Sequence, residues 1–98
     1  MSIRIGPLDF AESHERNLVV DGDVLDGIID SRDCTIRMEQ DLHPQQAFLT
    51  TWHEVLHEVL GQAGRPESTD ESLVSILSAG IMQVLRDNPA MRGDQLWH

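Results

Sequence analysis

The chain has 98 residues, of which seven are Lys or Arg and seventeen are Asp or Glu, so its formal net charge is −10. This length provides one modest hydrophobic core and predicts a single domain, residues 1–98, while the negative charge disfavours direct binding to nucleic acids or to an anionic membrane surface. A lone cysteine excludes an internal disulfide bond, and since no stretch resembles a secretory leader or approaches the roughly 20 apolar residues of a membrane span, we expect a cytoplasmic protein.

The first part of the chain, residues 1–42, has the pattern of short β-strands. Turn-forming pairs such as Gly6-Pro7 interrupt it, and β-branched residues are frequent between them. The segment GIIDSRDCTIRM, which begins at Gly27, predicts a hairpin because the polar turn DSRD separates two strand-like runs. We therefore predict a small antiparallel β-sheet in this part.

Residues 43–62 show the periodicity of an amphipathic helix. Pro44 suits the first turn of a helix, with His43 or Asp41 as its N-cap, and a following glycine suits its end. Apolar residues recur at steps of three and four between these ends. They are Phe48, Leu49, Trp52, Val55, Leu56, Val59 and Leu60.

A second helix is predicted over residues 68–88. Ser68 and Glu71 have the spacing of a capping box at its start, and Pro89 disfavours helical geometry at its end. The apolar residues of this helix are Leu73, Val74, Ile76, Leu77, Ile81, Val84 and Leu85. Residues 89–98 are predicted to form a loosely held tail. The predicted fold class is α+β, with the small sheet packed against two antiparallel helices.

The first helix carries His53, Glu54 and His57, which form the motif H-E-x-x-H. Residues four apart lie on one face of a helix, so both imidazoles can point a nitrogen at one metal ion. Glu54 lies beside them, where it can reach a water molecule on that ion, as in zinc peptidases. The competing interpretation is an ordinary amphipathic helix with two partly buried histidines and with Glu54 and Glu58 in solvent.

A catalytic zinc site needs a third protein ligand, with the remaining position left to water. Leu60 and Ala63 stand where metzincins place Gly and His, which excludes that class. Glu71 is the preferred third ligand, because two antiparallel helices would bring it level with the end of the motif helix. The capping box accounts for Glu71 without a metal, and Asp70 and Glu67 are the substitutes.

Several segments together resemble the small zinc metallopeptidases of phages and mobile elements that are related to the ImmA/IrrE group. They are WHEVLHEVLG around the motif, ESLVSIL from Glu71, QVLRDNP from Gln83 to Pro89 and, more weakly, the hairpin segment GIIDSRDCTIRM. The resemblance spans about residues 27–89, and H-E-x-x-H is its most specific element. It implies a minimal zincin-like fold, a bound Zn²⁺ and peptidase activity, and members of the wider group cleave repressor proteins.

The implied reaction is zinc-dependent hydrolysis of a peptide bond in a cytoplasmic protein, in the bacterial host if the chain is phage-encoded. His53, His57 and Glu71 would hold Zn²⁺, and Glu54 would be the catalytic general base. The acceptors available to orient the imidazoles are Glu58, Asp70 and backbone carbonyls.

Substrate binding and the oxyanion leave further alternatives. The strand that carries Ile36 and Met38 would present an exposed edge to an extended substrate. The chain has no tyrosine, so His14, His43 or an arginine would have to stabilise an oxyanion. The alternative function is a catalytically silent zincin-like scaffold, an interaction module whose acidic surface binds a basic protein partner.

Overall fold

The computed structural model describes residues 2–92. Across these residues the strands are β1 (Ser2–Ile5), β2 (Leu8–Glu15), β3 (Val19–Val20), β4 (Asp23–Val24), β5 (Gly27–Asp30) and β6 (Thr35–Glu39). The helices are α1 (Pro44–Gln62) and α2 (Glu71–Asp87), with 3₁₀ turns at Pro66–Thr69 and Pro89–Arg92. The predicted α+β fold class is confirmed.

The main sheet has four strands in the order β1-β2-β6-β5, and β3 and β4 form a separate ribbon. Strands β1 and β2 pair antiparallel, as do β5 and β6, but β2 and β6 are parallel, with Ala11 opposite Thr35. The prediction of a wholly antiparallel sheet is therefore wrong at this pairing. Alternating residues mark a strand and its two faces, but they do not specify the direction of a neighbour that is distant in sequence.

The core of the domain lies on one face of this sheet, where Ile5, Phe10, Ile36 and Met38 form a buried cluster. Helix α1 covers the cluster and contributes Val55 to it. Strand β6 is internal, and Ile36 and Met38 are 0% and 1% exposed. The prediction that this strand presents an open edge is wrong, because β2 and β5 pair with its two sides; the edge strands are β1 and β5.

The predicted hairpin in GIIDSRDCTIRM is confirmed as β5 and β6. Its turn is held by the Asp30 carboxylate, which accepts the backbone N–H groups of Arg32 at 2.9 Å and Asp33 at 3.2 Å. Such side-chain acceptance of nearby backbone donors is typical of aspartate in turns. Cys34 follows with a φ of 54° and is half-buried, and its thiol donates to the carbonyl of Ser31 at 3.5 Å.

Helix α1 begins at Pro44 as predicted, and the Nδ1 atom of His43 caps it by accepting the N–H of Gln45 at 3.1 Å. Helix α2 begins at Glu71 rather than at residue 68, because the Asp70 carboxylate caps it by accepting the N–H of Leu73 at 3.0 Å. The predicted capping box is therefore wrong. Helix α1 contacts both the sheet and α2, and the antiparallel arrangement of the two helices stays a prediction.

Helix α2 ends at Asp87, and Pro89–Arg92 continues the chain as a 3₁₀ turn. The rest of the predicted tail, residues 93–98, lies outside the described residues. Within residues 2–92, neither α1 nor α2 combines the length and the apolar character that a membrane-spanning helix requires.

Candidate metal centre

The two motif histidines lie one above the other on α1. Their ring centroids are 4.8 Å apart, and the Nε2 atoms of His53 and His57 are 3.1 Å apart. This is the consequence of their four-residue spacing, which places both side chains on one face of the helix. Both imidazoles are partly buried, so their Nε2 atoms converge on a small volume beside the helix.

Glu71 reaches this volume from the first turn of α2. Its Oε2 atom lies 2.9 Å from Nε2 of His53, and its Oε1 atom lies 2.9 Å from Nε2 of His57. The ligand atoms of these three residues all fall within 4.8 Å of one another. Because Asp70 provides the N-cap, the Glu71 side chain is not engaged in capping α2. Its side chain is 73% exposed, so the site opens to solvent.

The two substitutes for Glu71 are engaged elsewhere. The Asp70 carboxylate accepts the N–H of Leu73 at the start of α2. Glu67 accepts from the Arg65 guanidinium at 2.8 Å, and this hydrogen bond lowers the pKa of its carboxyl. The three residues that the structure brings together are thus His53, His57 and Glu71, the set preferred from the sequence.

The ring of His57 is oriented by the connection between the helices. Its Nδ1 atom lies 2.5 Å from the carbonyl oxygen of Ser68, so Nδ1–H donates there and Nε2 is turned towards Glu71. Hydrogen bonding of the other ring nitrogen to a carbonyl is how proteins fix metal-binding histidines. Backbone carbonyls were among the acceptors named from the sequence for the imidazoles. The particular carbonyl, that of Ser68, was not predicted, because its position depends on the path of the 3₁₀ turn.

Glu58, another acceptor named from the sequence, serves a different part of the molecule. It is 5% exposed and accepts the Ser31 hydroxyl and the Gln62 amide, the latter at 2.8 Å. The same amide donates to the carbonyl of Ile5 at 3.0 Å. This network joins α1 to the turns of two hairpins and places Glu58 in a structural role.

Glu54 is partly buried between α1 and the edge of β5. Burial raises the pKa of its carboxyl, because a charged carboxylate loses hydration there, and the nearby Glu71 carboxylate also raises it. The imidazoles of His53 and His57 and a backbone hydrogen bond from Ile29 act in the opposite direction. A general base is most effective when its pKa approaches the working pH, so a raised pKa suits proton transfer.

Two cavities flank the His53–His57–Glu71 cluster and share Leu25, Gly27, Glu54 and Glu71. One has a volume of about 450 Å³ and extends towards Asp26 and Val24. The other has a volume of about 520 Å³ and extends past His57 to Ile28, Ile29, Ser68 and Thr69. We refer to the two together as the cleft. The edge strand β5 forms one of its walls.

The free edge of β5 turns backbone groups towards the cleft. The N–H of Glu39 donates to the carbonyl of Asp26 at 2.8 Å, which makes these two residues a hydrogen-bonded pair of the antiparallel ladder. Hydrogen-bonded and non-hydrogen-bonded pairs alternate along such a ladder. The N–H and C=O groups of Gly27 and Ile29 therefore point away from β6, and the N–H of Ile29 is the group that bonds to Glu54.

The residues considered for oxyanion stabilisation lie elsewhere. His14, on β2, lies 3.2 Å from the Glu12 carboxylate, and His43 caps α1. Neither of these histidines and no arginine of residues 2–91 lines either cavity of the cleft. Trp52 lies on a different face of α1, against Phe48 with ring centroids 6.4 Å apart, so it is not a wall of the cleft.

The donor set of the site fits Zn²⁺. Two neutral imidazole nitrogens and one carboxylate, with an open side for water, are the ligands of one class of catalytic zinc sites. In the neutral imidazole of His57, the hydrogen bond to Ser68 places the proton on Nδ1 and leaves the lone pair on Nε2, as a metal ligand requires. The same three side chains could also hold one another without a metal, through a carboxylate shared by two imidazoles of which one is protonated.

Comparison with known proteins gave no relative for this chain: no family model matches it, and neither a curated protein nor a solved structure matches it significantly.

Proposed function

We propose that this protein is a zinc-dependent metallopeptidase that hydrolyses a peptide bond in a cytoplasmic protein. The observation that supports the proposal is the convergence of His53, His57 and Glu71 on one point, 2.9 Å from each imidazole to the carboxylate. Glu54, the residue that only catalysis requires, faces the same cleft. The H-E-x-x-H spacing of His53, Glu54 and His57, the most specific element of the resemblance to zinc metallopeptidases, is consistent with the same proposal.

In the proposed reaction, His53, His57 and Glu71 hold the metal. When bound, Zn²⁺ supplies a Lewis acid that polarises the carbonyl of the cleaved bond and favours ionisation of water. Glu54 accepts the proton of the attacking water and delivers it to the leaving amine. The outward N–H and C=O groups of Gly27 and the outward C=O of Ile29 bind the substrate backbone as an added strand, while the N–H of Ile29 bonds to Glu54. Strand β5 thus has the substrate-binding role that was predicted for β6, the strand with Ile36 and Met38.

A second candidate function is the catalytically silent scaffold, an acidic protein-interaction module. The observation that favours it is that Glu71 bridges both imidazoles directly, so the cluster is satisfied without a metal when one histidine is protonated. In that case the cluster would tie α1 to α2, and the net charge of −10 would attract a basic partner.

Metal content is the first test of the metallopeptidase. Tag-free protein purified without chelator and offered zinc should contain one Zn²⁺ per chain by elemental analysis. His53→Ala and Glu71→Ala should lose the metal, and Glu54→Gln should keep it because Glu54 is not a ligand. Absence of zinc in the wild-type protein, or equal zinc in all variants, would contradict the metallopeptidase.

Activity needs a separate test, because a zinc site can be structural. Peptide libraries incubated with the zinc-loaded protein should yield new termini detectable by mass spectrometry. Glu54→Gln should abolish these products while retaining zinc, since it removes the proton acceptor alone. Zinc-loaded wild-type protein that gives the same products as Glu54→Gln would favour the scaffold.

A further inference from the structure

Three carboxylates line the cleft, and two of them have a role in the proposed reaction. Glu71 belongs to the metal site and Glu54 is the base, which leaves Asp26 at the end of the 450 Å³ cavity. The chain contains no lysine and seven arginines, and within residues 2–91 none of these arginines lines the cleft. Within residues 2–91, the negative charge of Asp26 is therefore not balanced by an arginine inside the cleft; His53 lines the same cavity but belongs to the candidate metal site.

Asp26 is held by its backbone rather than by its side chain. Its carbonyl accepts the N–H of Glu39 at 2.8 Å, which fixes the residue at the start of β5. The residue is exposed, and among residues 2–91 its Oδ2 atom accepts a single long hydrogen bond, of 3.5 Å, from the Gln46 amide. Such a bond is at the upper limit of useful length, so the carboxylate is available to a ligand.

The surroundings of Asp26 suit the apolar stem of a long basic side chain. Val24 lines the same cavity and is 80% exposed, and Leu25 lines both cavities of the cleft. Lys and Arg bury their methylene stems along apolar surface while the charged end reaches a polar group. A carboxylate next to exposed aliphatic side chains meets both needs.

We infer that Asp26 selects substrates with a Lys or Arg side chain on one side of the cleaved bond. The inference rests on the proposed peptidase function and adds the substrate class. Asp26 lies three residues before Ile29, whose N–H bonds to Glu54, and a strand rises about 3.3 Å per residue, so an extended substrate along β5 passes Asp26 about three residues from the bond at Glu54. The opposite end of the cleft is lined by Ile28, Ser68 and Thr69, which are uncharged, so the preference is confined to one side.

The test measures binding without turnover. Otherwise neutral peptides carry a single lysine, glutamate or leucine at successive positions, and fluorescence anisotropy follows their binding to zinc-treated Glu54→Gln protein. At one position, lysine should bind about two- to fivefold more tightly than leucine, the ratio for an exposed ion pair of up to about 1 kcal/mol. Adding Asp26→Asn should remove this preference. The matched control is Asp23→Asn, an exposed change on β4 outside the cleft.

The outcomes separate the inference from the function on which it rests. Equal binding of lysine and glutamate peptides, no binding of any peptide, or equal effects of Asp26→Asn and Asp23→Asn would overturn the role of Asp26. Cleavage of these peptides by the wild-type protein without a lysine preference would overturn it too, while retaining the peptidase. A lysine preference that depends on Asp26, without any cleavage, would support the role of Asp26 and count against the peptidase.

Discussion

The Oε1 atom of Glu71, the first residue of α2, lies 2.9 Å from Nε2 of His57, near the end of α1. This contact closes the connection formed by residues 63–70, whose carbonyl at Ser68 orients the same imidazole. The candidate metal site and the packing of the helices are therefore coupled through the imidazole ring of His57. A ligand that binds there is expected to stabilise the folded state, because the unfolded chain does not preserve this geometry.

Shortening the side chain of Glu71, the proposed third ligand, tests whether zinc affinity depends on the reach of its carboxylate. Glu71→Asp keeps the charge but removes one methylene, so the carboxylate can no longer approach both imidazoles. We expect zinc affinity to fall at least about tenfold, since altering an outer hydrogen-bond partner alone typically costs 10- to 100-fold. Competition with a chromophoric chelator measures this. Glu67→Gln is the control and should retain wild-type affinity, because Glu67 pairs with Arg65; equal losses in both variants would contradict the assignment.

The network around Glu58 predicts a stability effect that is independent of the metal. Glu58→Ala leaves the Ser31 hydroxyl and the Gln62 amide without their shared acceptor in a buried place. Removing a buried charged acceptor should lower the free energy of unfolding by about 2 kcal/mol. Urea denaturation of the metal-free protein measures the change.

The control for this prediction is Gln45→Ala, an exposed position on the same helix. Its effect should stay within about 0.5 kcal/mol, as is usual for surface substitutions. If Glu58→Ala is no more destabilising than Gln45→Ala, the buried network contributes nothing to stability.

The sequence predicted those parts of the fold that depend on neighbours in the chain. The three- and four-residue steps of α1, its Pro44 start and the Asp30 turn of the β5–β6 hairpin are local signals, and the structure confirms them. The capping box at Ser68 and Glu71 was a local signal as well, but Asp70 competed successfully for the N-cap. Two acceptable caps only two positions apart, Ser68 and Asp70, cannot be ranked from pattern alone.

The parts that were missed depend on residues distant in sequence. Because β2 pairs with β6, β6 is an internal strand of the sheet. The strand edge that is open at the site is therefore that of β5, whereas the prediction gave it to β6. At the candidate site, the H-E-x-x-H motif alone predicted that His53 and His57 lie together. The approach of Glu71 was predicted only on the assumption that the two helices pack against each other. No sequence motif pointed to Asp26, because its position beside the cleft depends on the register of β5 with β6.

The close approach of β5 to α1 predicts that Gly27 tolerates no side chain. A Cβ atom there would lie 2.8 Å from Cγ2 of Thr50 and 3.1 Å from the sulfur of Met38. Gly27→Ala should therefore lower the free energy of unfolding by about 1–3 kcal/mol, as overpacking does. Adding Thr50→Ser, which removes the closest atom, should recover part of the loss.

A second glycine of the same chain provides the comparison for Gly27. At Gly61, in the last turn of α1, a Cβ atom would meet nothing within 4 Å. Gly61→Ala should stabilise the protein by up to about 1 kcal/mol, because alanine favours the helix. Thermal or urea unfolding measures both variants, and a neutral Gly27→Ala would show that β5 can move away from α1.

The ion pair between Glu15 and Arg37 predicts part of the loss of folding stability in acid. Two hydrogen bonds, of 2.5 and 3.0 Å, join the guanidinium to the carboxylate and lower the pKa of Glu15. A carboxyl whose pKa is lower in the folded state stabilises the fold above its unfolded pKa of about 4.3, and this contribution is lost as the pH falls through the folded pKa. Glu15→Gln should therefore cost more stability at neutral pH than in acid, measured by urea unfolding at both. Asp9→Asn, exposed on the same strand, is the control; an effect of Glu15→Gln that does not change with pH would contradict the pair's role.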